Sequence, residues 1–232
     1  MRYKLSVPSA VKATIQLPAS KSISNRALIL NALAQGTTPP CNLSDCDDTL
    51  VMIKALDGNN ETIDIMAAGT AMRFLTAYLS ATSGERIITG TARMQQRPIQ
   101  ILVNALRELG AEIEYTHNEG YPPLRIKGAE LKGNEITLKG NVSSQYISAL
   151  LMIGPVLKDG LTLHLTGEII SRPYQSDTAI NAGLRSKSGM DFTQQHLRSS
   201  ATVSECPLHR RKRLERCFLL VSDCRFVSGS RD

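Results

Sequence analysis

The chain has 232 residues, 42% hydrophobic and 21% charged, enough for one large domain or two small ones around a sizeable core. No apolar run approaches the ~18 residues needed to span a bilayer. The net charge of +6 is uneven: residues 1 to 174 hold 17 Lys/Arg against 15 Asp/Glu and residues 175 to 232 hold 10 against 6, while aromatics at 4% and no Trp leave few stacking platforms for nucleic acid.

In chain order, Met1-Arg2-Tyr3-Lys4-Leu5-Ser6-Val7 alternates like a strand and lacks a signal peptide's apolar stretch, so a cytoplasmic protein is expected. A first helix is predicted from about Ser24 to Gln35, with Ala27, Leu28, Leu30 and Leu33 as its apolar positions and Gly36 beyond. A second runs from about Thr70 to Ala81, carrying Met72, Leu75, Tyr78 and Leu79, then Gly84. A strand follows over Arg86 to Thr89. The third helix opens at Arg97-Pro98, where proline's missing N–H suits a first helical position, and carries Ile99, Leu102, Val103, Leu106 and Leu109 before Gly110. Strands are predicted over Ala111 to Tyr115, Leu124 to Lys127 and Glu135 to Lys139. The fourth helix opens at Ser143-Ser144-Gln145 and passes Ile147, Leu150, Leu151 and Ile153 to Gly154, before a strand over Leu161 to Thr166. Each helix is followed by a glycine suited to a C-terminal cap. Helices interleave with strands, often two strands between helices, which argues for an α/β domain of repeated small units. After Tyr174 caps and periodicity fade. Five cysteines, Cys41, Cys46, Cys206, Cys217 and Cys224, form no CxxC pair and read as free thiols.

Each predicted helix begins with residues suited to anions, because unpaired N–H groups and a positive dipole end favour phosphate or carboxylate there. The first adds Lys21 and Arg26, with Ser20, Ser22 and Ser24 as hydroxyl donors. The second adds Gly69-Thr70, where glycine lets backbone approach a ligand closely. The third adds Arg97, able to grip an oxyanion through two parallel hydrogen bonds. The fourth adds two hydroxyls and the Gln145 amide. Any one of these alone is more often an ordinary N-cap. Four in one domain, two with a strong cation, point to a site for small, multiply phosphorylated anions. Neither G-x-G-x-x-G nor G-x-x-x-x-G-K-[ST] occurs.

The segment Leu17-Pro18-Ala19-Ser20-Lys21-Ser22-Ile23-Ser24-Asn25-Arg26-Ala27-Leu28 resembles the signature of the EPSP synthase family (3-phosphoshikimate 1-carboxyvinyltransferase). Further blocks follow in the family's order: Ala68-Gly69-Thr70-Ala71-Met72-Arg73, Gln96-Arg97-Pro98-Ile99, Val142-Ser143-Ser144-Gln145-Tyr146 and Ser171-Arg172-Pro173-Tyr174. The resemblance implies an α/β enolpyruvyl transferase fold, an inside-out α/β barrel of βαβαββ units, with one domain partly present and the second almost entirely missing. It implies enolpyruvyl transfer from phosphoenolpyruvate to the 5-hydroxyl of shikimate-3-phosphate in aromatic amino acid biosynthesis, by a monomer, without metal or cofactor. Lys21 would touch both substrates and serve in proton transfer. Lys21, Ser22, Arg26, Ser143, Ser144, Gln145, Ser171 and Tyr174 would hold shikimate-3-phosphate. Lys21, Gly69, Thr70, Arg97 and Gln145 would hold phosphoenolpyruvate. Two departures stand out: Ala67 where many members carry Asn, and Phe74 where many carry Pro, the latter expected to alter packing behind Gly69 and Thr70.

Residues 175 to 232 resemble none of the family's continuation, and a frame shift near Tyr174 and Gln175 is expected. Shifted by one base, Leu208 to Val221 can encode Tyr-Thr-Val-Glu-Ser-Asp-Trp-Ser-Ala-Ala-Ser-Tyr-Trp, similar to the family's segment at the start of its other domain. The same shift on Thr178 to Ser186 allows Leu-Arg-Leu-Met-Gln-Asp-Phe-Gly, an amphipathic helix ending at glycine. On this reading Arg210 to Arg213 has no selected role, and the chain should bind substrates weakly and turn over little, because the resemblance puts the catalytic Asp and several cations in the missing part. Two other readings remain: a transferase acting on UDP-N-acetylglucosamine, and a non-catalytic anion-binding fragment whose basic tail contacts RNA.

Overall fold

The computed structural model describes residues 18–58 and 60–167, together with the backbone of 196–199. The expected strand at the N-terminus and the Ser171-to-Tyr174 block lie outside the described residues.

Helix α1 spans Lys21–Leu33 and so begins three residues earlier than predicted. The backbone decides this: the Ser24 N–H donates to the Ser20 carbonyl at 2.9 Å, closing the first turn. At its other end Gln35 (φ 53°), rather than Gly36, takes the left-handed conformation. Helix α2, Asp47–Asp57, was not anticipated. Asp47 and Asp48 in its first turn and Lys54 in its last match the helix dipole, while Thr49 and Met52 are buried.

A complete βαβαββ unit follows: β1 (Thr62–Asp64), α3 (Gly69–Ser80), β2 (Gly84–Thr89), α4 (Gln100–Glu108), β3 (Glu112–Tyr115) and β4 (Leu124–Gly128). Its sheet has the order β1-β2-β4-β3, with β1 parallel to β2 and the other two pairings antiparallel. Register sets Ile63 against Ile88 and Ile113 against Ile126, which keeps one apolar face on the core. A second βαβ follows from β5 (Glu135–Lys139) through α5 (Ser144–Ile153) to β6 (Leu161–Thr166), with β5 and β6 parallel. The backbone of β7 (His196–Ser199) pairs antiparallel with β6, a strand the sequence reading did not contain.

Proline and glycine punctuation worked in part. Pro98 does not open α4; the helix starts two residues later, with Ile99 as its N-cap in a non-helical conformation (φ −135°) and the Ile99 N–H donating to the Gly120 carbonyl at 2.9 Å. Gly110 does take the left-handed conformation just past α4, at φ 100°. Gly154 has φ −46° instead and continues into a short 3-10 turn, Gly154–Val156.

Helices α3 and α5 are core helices. In α3, nine of twelve residues are buried, and in α5, eight of ten. Helix α3 packs against α1, α2, α4 and α5 and against strands β2 and β4. Its buried hydroxyls are satisfied internally: Thr76 Oγ1 donates to the Met72 carbonyl at 2.7 Å, and Ser80 Oγ to the Thr76 carbonyl at 2.8 Å. Among the described residues no helix is long and apolar enough to cross a membrane.

Candidate functional site

Helices α3 and α5 carry their N-termini to one place. Gln145, in the first turn of α5, donates from Nε2 to Thr70 Oγ1, in the first turn of α3, at 3.2 Å. Tyr146 donates its hydroxyl to the Pro98 carbonyl at 2.7 Å, so α5 also fixes the extended segment that carries Arg97. Three of the four predicted anion grips are thereby joined.

Gly69 is the closest point of that junction. A Cβ built there would stand 2.5 Å from Arg97 Nη1 and 3.2 Å from Arg73 Nη1. Glycine therefore admits two guanidinium groups against the start of α3. Arg97 is exposed and able to meet a ligand. Arg73 is only 5% exposed; its Nη1 donates to the Gly69 carbonyl at 3.0 Å and its Nη2 to the Pro98 carbonyl at 3.4 Å, while its Nε has no partner among the described residues. Burial pushes the Arg73 pKa below its ordinary value, Tyr146 opposes that, and the charge of Arg97 adds to it. Among the described residues no carboxylate pairs with either arginine. A glycine backbone at a helix N-terminus with two guanidiniums packed against it can form a seat for an oxyanion.

Arg26 joins α1 to the same assembly. Its Nη1 donates to the Ser22 carbonyl at 3.1 Å and its Nη2 to Ser148 Oγ on α5 at 3.0 Å. The guanidinium lies 5.4 Å from the centroid of the Phe74 ring, itself 1% exposed. Phe74 thus does more than alter packing behind Gly69: it forms an aromatic seat for Arg26. Ala67, the other departure, is exposed. Ser143 caps α5, accepting from the Gln145 N–H at 3.4 Å; it is exposed, as is Ser22, and Ser144 is half-buried.

Lys21 opens α1, half-exposed, with its Nζ 3.1 Å from Asp48 Oδ2 at the start of α2. Beside this pair, two buried hydrogen bonds clasp α1 to the segment entering α2. The Ser44 N–H donates to Ser24 Oγ at 2.8 Å, and Thr49 Oγ1 donates to Asn25 Oδ1 at 2.9 Å. Ser24 is therefore a clasp residue, not a donor presented to an anion. Cys41 and Cys46 are free thiols; the other three cysteines lie outside the described residues.

Sequence reasoning did not single out Asp48, Arg73 or Ser148. Arg73 was within reach, because it stands four residues after Gly69 and so one helical turn from it. Asp48 depended on recognising α2, and Ser148 looked like an ordinary interior position of α5.

The comparisons with known proteins agree on one group. The family model described as EPSP synthase (3-phosphoshikimate 1-carboxyvinyltransferase) matches residues 5–58 and 57–181. The chain is similar to a 3-phosphoshikimate 1-carboxyvinyltransferase of Bacteroides fragilis, 79% identical over 174 residues, covering 75% of this chain and 42% of the relative. A similarly described protein of Pseudoalteromonas atlantica is 43% identical over 192 residues, covering 72% of this chain and 45% of the relative. The solved EPSP synthase structure from Acinetobacter baumannii shares the fold, with a TM-score of 0.63 at 23% identity over 78% of this chain and 45% of that one. The chain thus spans less than half the length of the curated relatives it matches.

Proposed function

The chain belongs to the EPSP synthase family, and on that premise we propose that residues 18 to 167 form one face of a site that joins phosphoenolpyruvate to shikimate-3-phosphate. Gly69, Thr70, Arg97 and Gln145 grip phosphoenolpyruvate. Ser22, Arg26, Ser143, Ser144 and Gln145 hold shikimate-3-phosphate, together with Ser171 and Tyr174 from beyond the described residues. Lys21 reaches both and takes part in proton transfer. The 5-hydroxyl gives up its proton to a base as its oxygen bonds to C2 of phosphoenolpyruvate, and the C2–C3 double bond opens as C3 gains a proton. Loss of phosphate and of a C3 proton from the tetrahedral intermediate then leaves the enolpyruvyl ether. No metal or cofactor enters this scheme, because fixed cations and helix N-termini offset the mutual repulsion of the two polyanions.

One observation carries the reading: two arginines with no carboxylate partner among the described residues converge on Gly69, at a helix end tied to α5 through Thr70 and Gln145. The proposal extends to a cytoplasmic monomer acting on small molecules, not nucleic acid. It also takes residues 1–174 as the family region and 175–232 as an out-of-frame tail. The 174-residue alignment with the Bacteroides fragilis relative is in keeping with that boundary, whereas the family match runs on to residue 181, seven residues past it. Resequencing the gene around Tyr174 tests it, and an in-frame tail confirmed by the protein's mass would overturn it.

Calorimetric titration of the chain with each substrate tests the site. Arg97→Met should weaken phosphoenolpyruvate at least about tenfold, the worth of a charge-assisted hydrogen bond, with shikimate-3-phosphate changed less than about twofold. Equal loss of both ligands would refute the division of roles. Competition by UDP-N-acetylglucosamine in the same titration would favour the other acceptor.

A further inference from the structure

The cations of this site are treated unequally. Arg73 and Arg97 have no carboxylate partner among the described residues, whereas Lys21 is held by Asp48 at 3.1 Å. We propose that Asp48 is a positioning residue, a built-in counterion that parks the Lys21 ammonium in the empty site and is exchanged for the substrate's anion on binding. This rests on the reading that Lys21 faces the anionic substrates.

Three features set this pair apart from a casual surface ion pair. First, the partner is fixed in place. The clasp bonds Ser44 to Ser24 and Thr49 to Asn25 lie among residues no more than 6% exposed, so the first turn of α2 is held against the first turns of α1. Asp48 is the residue next to Thr49, and its carboxylate therefore reaches Lys21 from a rigid base. Second, the two partners differ in freedom. The Lys21 side chain is 48% exposed and that of Asp48 only 25%, so the flexible ammonium can leave while the carboxylate stays. Third, a carboxylate beside an anion seat opposes anion binding unless it performs a task there, because like charges at short range repel. Holding Lys21 in a defined place and releasing it only to a stronger anion is such a task. A phosphate dianion competes with one carboxylate better than a monoanion does, so the exchange discriminates by ligand charge.

The test uses the full chain and two probes, inorganic phosphate and phosphoenolpyruvate, with Asp48→Asn, Lys21→Met and the double variant. Phosphate binding to Asp48→Asn should tighten about two- to fivefold, the equivalent of one half-exposed ion pair no longer broken. Lys21→Met should weaken both probes, and on that background Asp48→Asn should change affinity by less than about 1.5-fold, since the coupling runs through Lys21. A purely structural role for Asp48 would instead lower affinity in both backgrounds alike, and that result would overturn the proposal. If Lys21→Met leaves both probes unaffected, the assignment of Lys21 to the site fails instead, so the two failures are distinguishable. Should Asp48→Asn not fold, the unaltered chain still decides: the carbon resonance of the Asp48 carboxylate should shift on titration with phosphate, and a static resonance would refute the exchange.

Discussion

The two flanks of the site are built by opposite means. On one flank Gly69, Thr70 and Gln145 belong to α3 and α5, helices buried on nearly every side, and Arg97 is tied to them through Pro98 and Tyr146. On the other flank Lys21 and Ser22 stand exposed on the first turn of α1, steadied by a polar clasp to α2. The first flank inherits its geometry from core packing, and the second from a few hydrogen bonds near the surface. Preorganisation is therefore strongest where the helix ends are closest, and adjustable where the proposed proton-transfer residue sits.

The largest expected effect breaks the packed flank from within. Phe74→Ala should cost about 3–5 kcal/mol in urea unfolding, because it opens a cavity in the core and removes the ring beneath Arg26. A loss below about 1 kcal/mol would mean that α3 is not the central helix described. Next comes the clasp. Thr49→Val should cost about 1–3 kcal/mol, since it leaves the buried Asn25 amide without its one hydrogen-bond partner among the described residues. The smallest effect on folding separates binding from stability. Gly69→Ala should weaken phosphoenolpyruvate about tenfold, or about 1.4 kcal/mol, while the urea midpoint hardly moves. Its new methyl group displaces chiefly the flexible, exposed end of Arg97, with the buried Arg73 Nη1, 3.2 Å away, giving by a few tenths of an ångström. Unfolding of this variant with unchanged affinity would reverse the assignment of Gly69.

Most of the packed flank was legible in the sequence. The apolar positions of α3 and α5 recur at helical spacing, and Gly69, Arg97 and Gln145 carried their own chemical signals. The clasped flank was not. The predicted start of α1 was Ser24, with Ser20 and Ser22 read as hydroxyl donors, and the Ser24-to-Ser20 hydrogen bond moves the start to Lys21. Helix α2 is followed by Gly58, which is extended (φ −94°, ψ 143°), but its N-cap is Cys46 rather than a residue that favours that position, and an acidic first turn was its main sign. Pro98 misled because the next residue, Ile99, leaves the helical conformation (φ −135°) and bonds across the fold to Gly120, a tertiary pairing that local spacing does not encode. Phe74 was noticed as a departure, but its contact with Arg26 joins residues 48 positions apart and needed the packed helices to become visible.

Helix α3 begins at the proposed anion seat and continues through the middle of the core. Its N–H groups were ordered when the unit folded, so a ligand arriving at Gly69 has little chain freedom left to remove, and its gain in contacts is not spent on freezing a loop. The same continuity has a cost in tolerance. A cavity opened several turns away along α3 can shift the whole rod, and a displacement of a few tenths of an ångström at Leu75 or Ser80 is carried to the site with little damping. Substitutions far from any substrate should therefore change affinity as well as stability, through the rod they share.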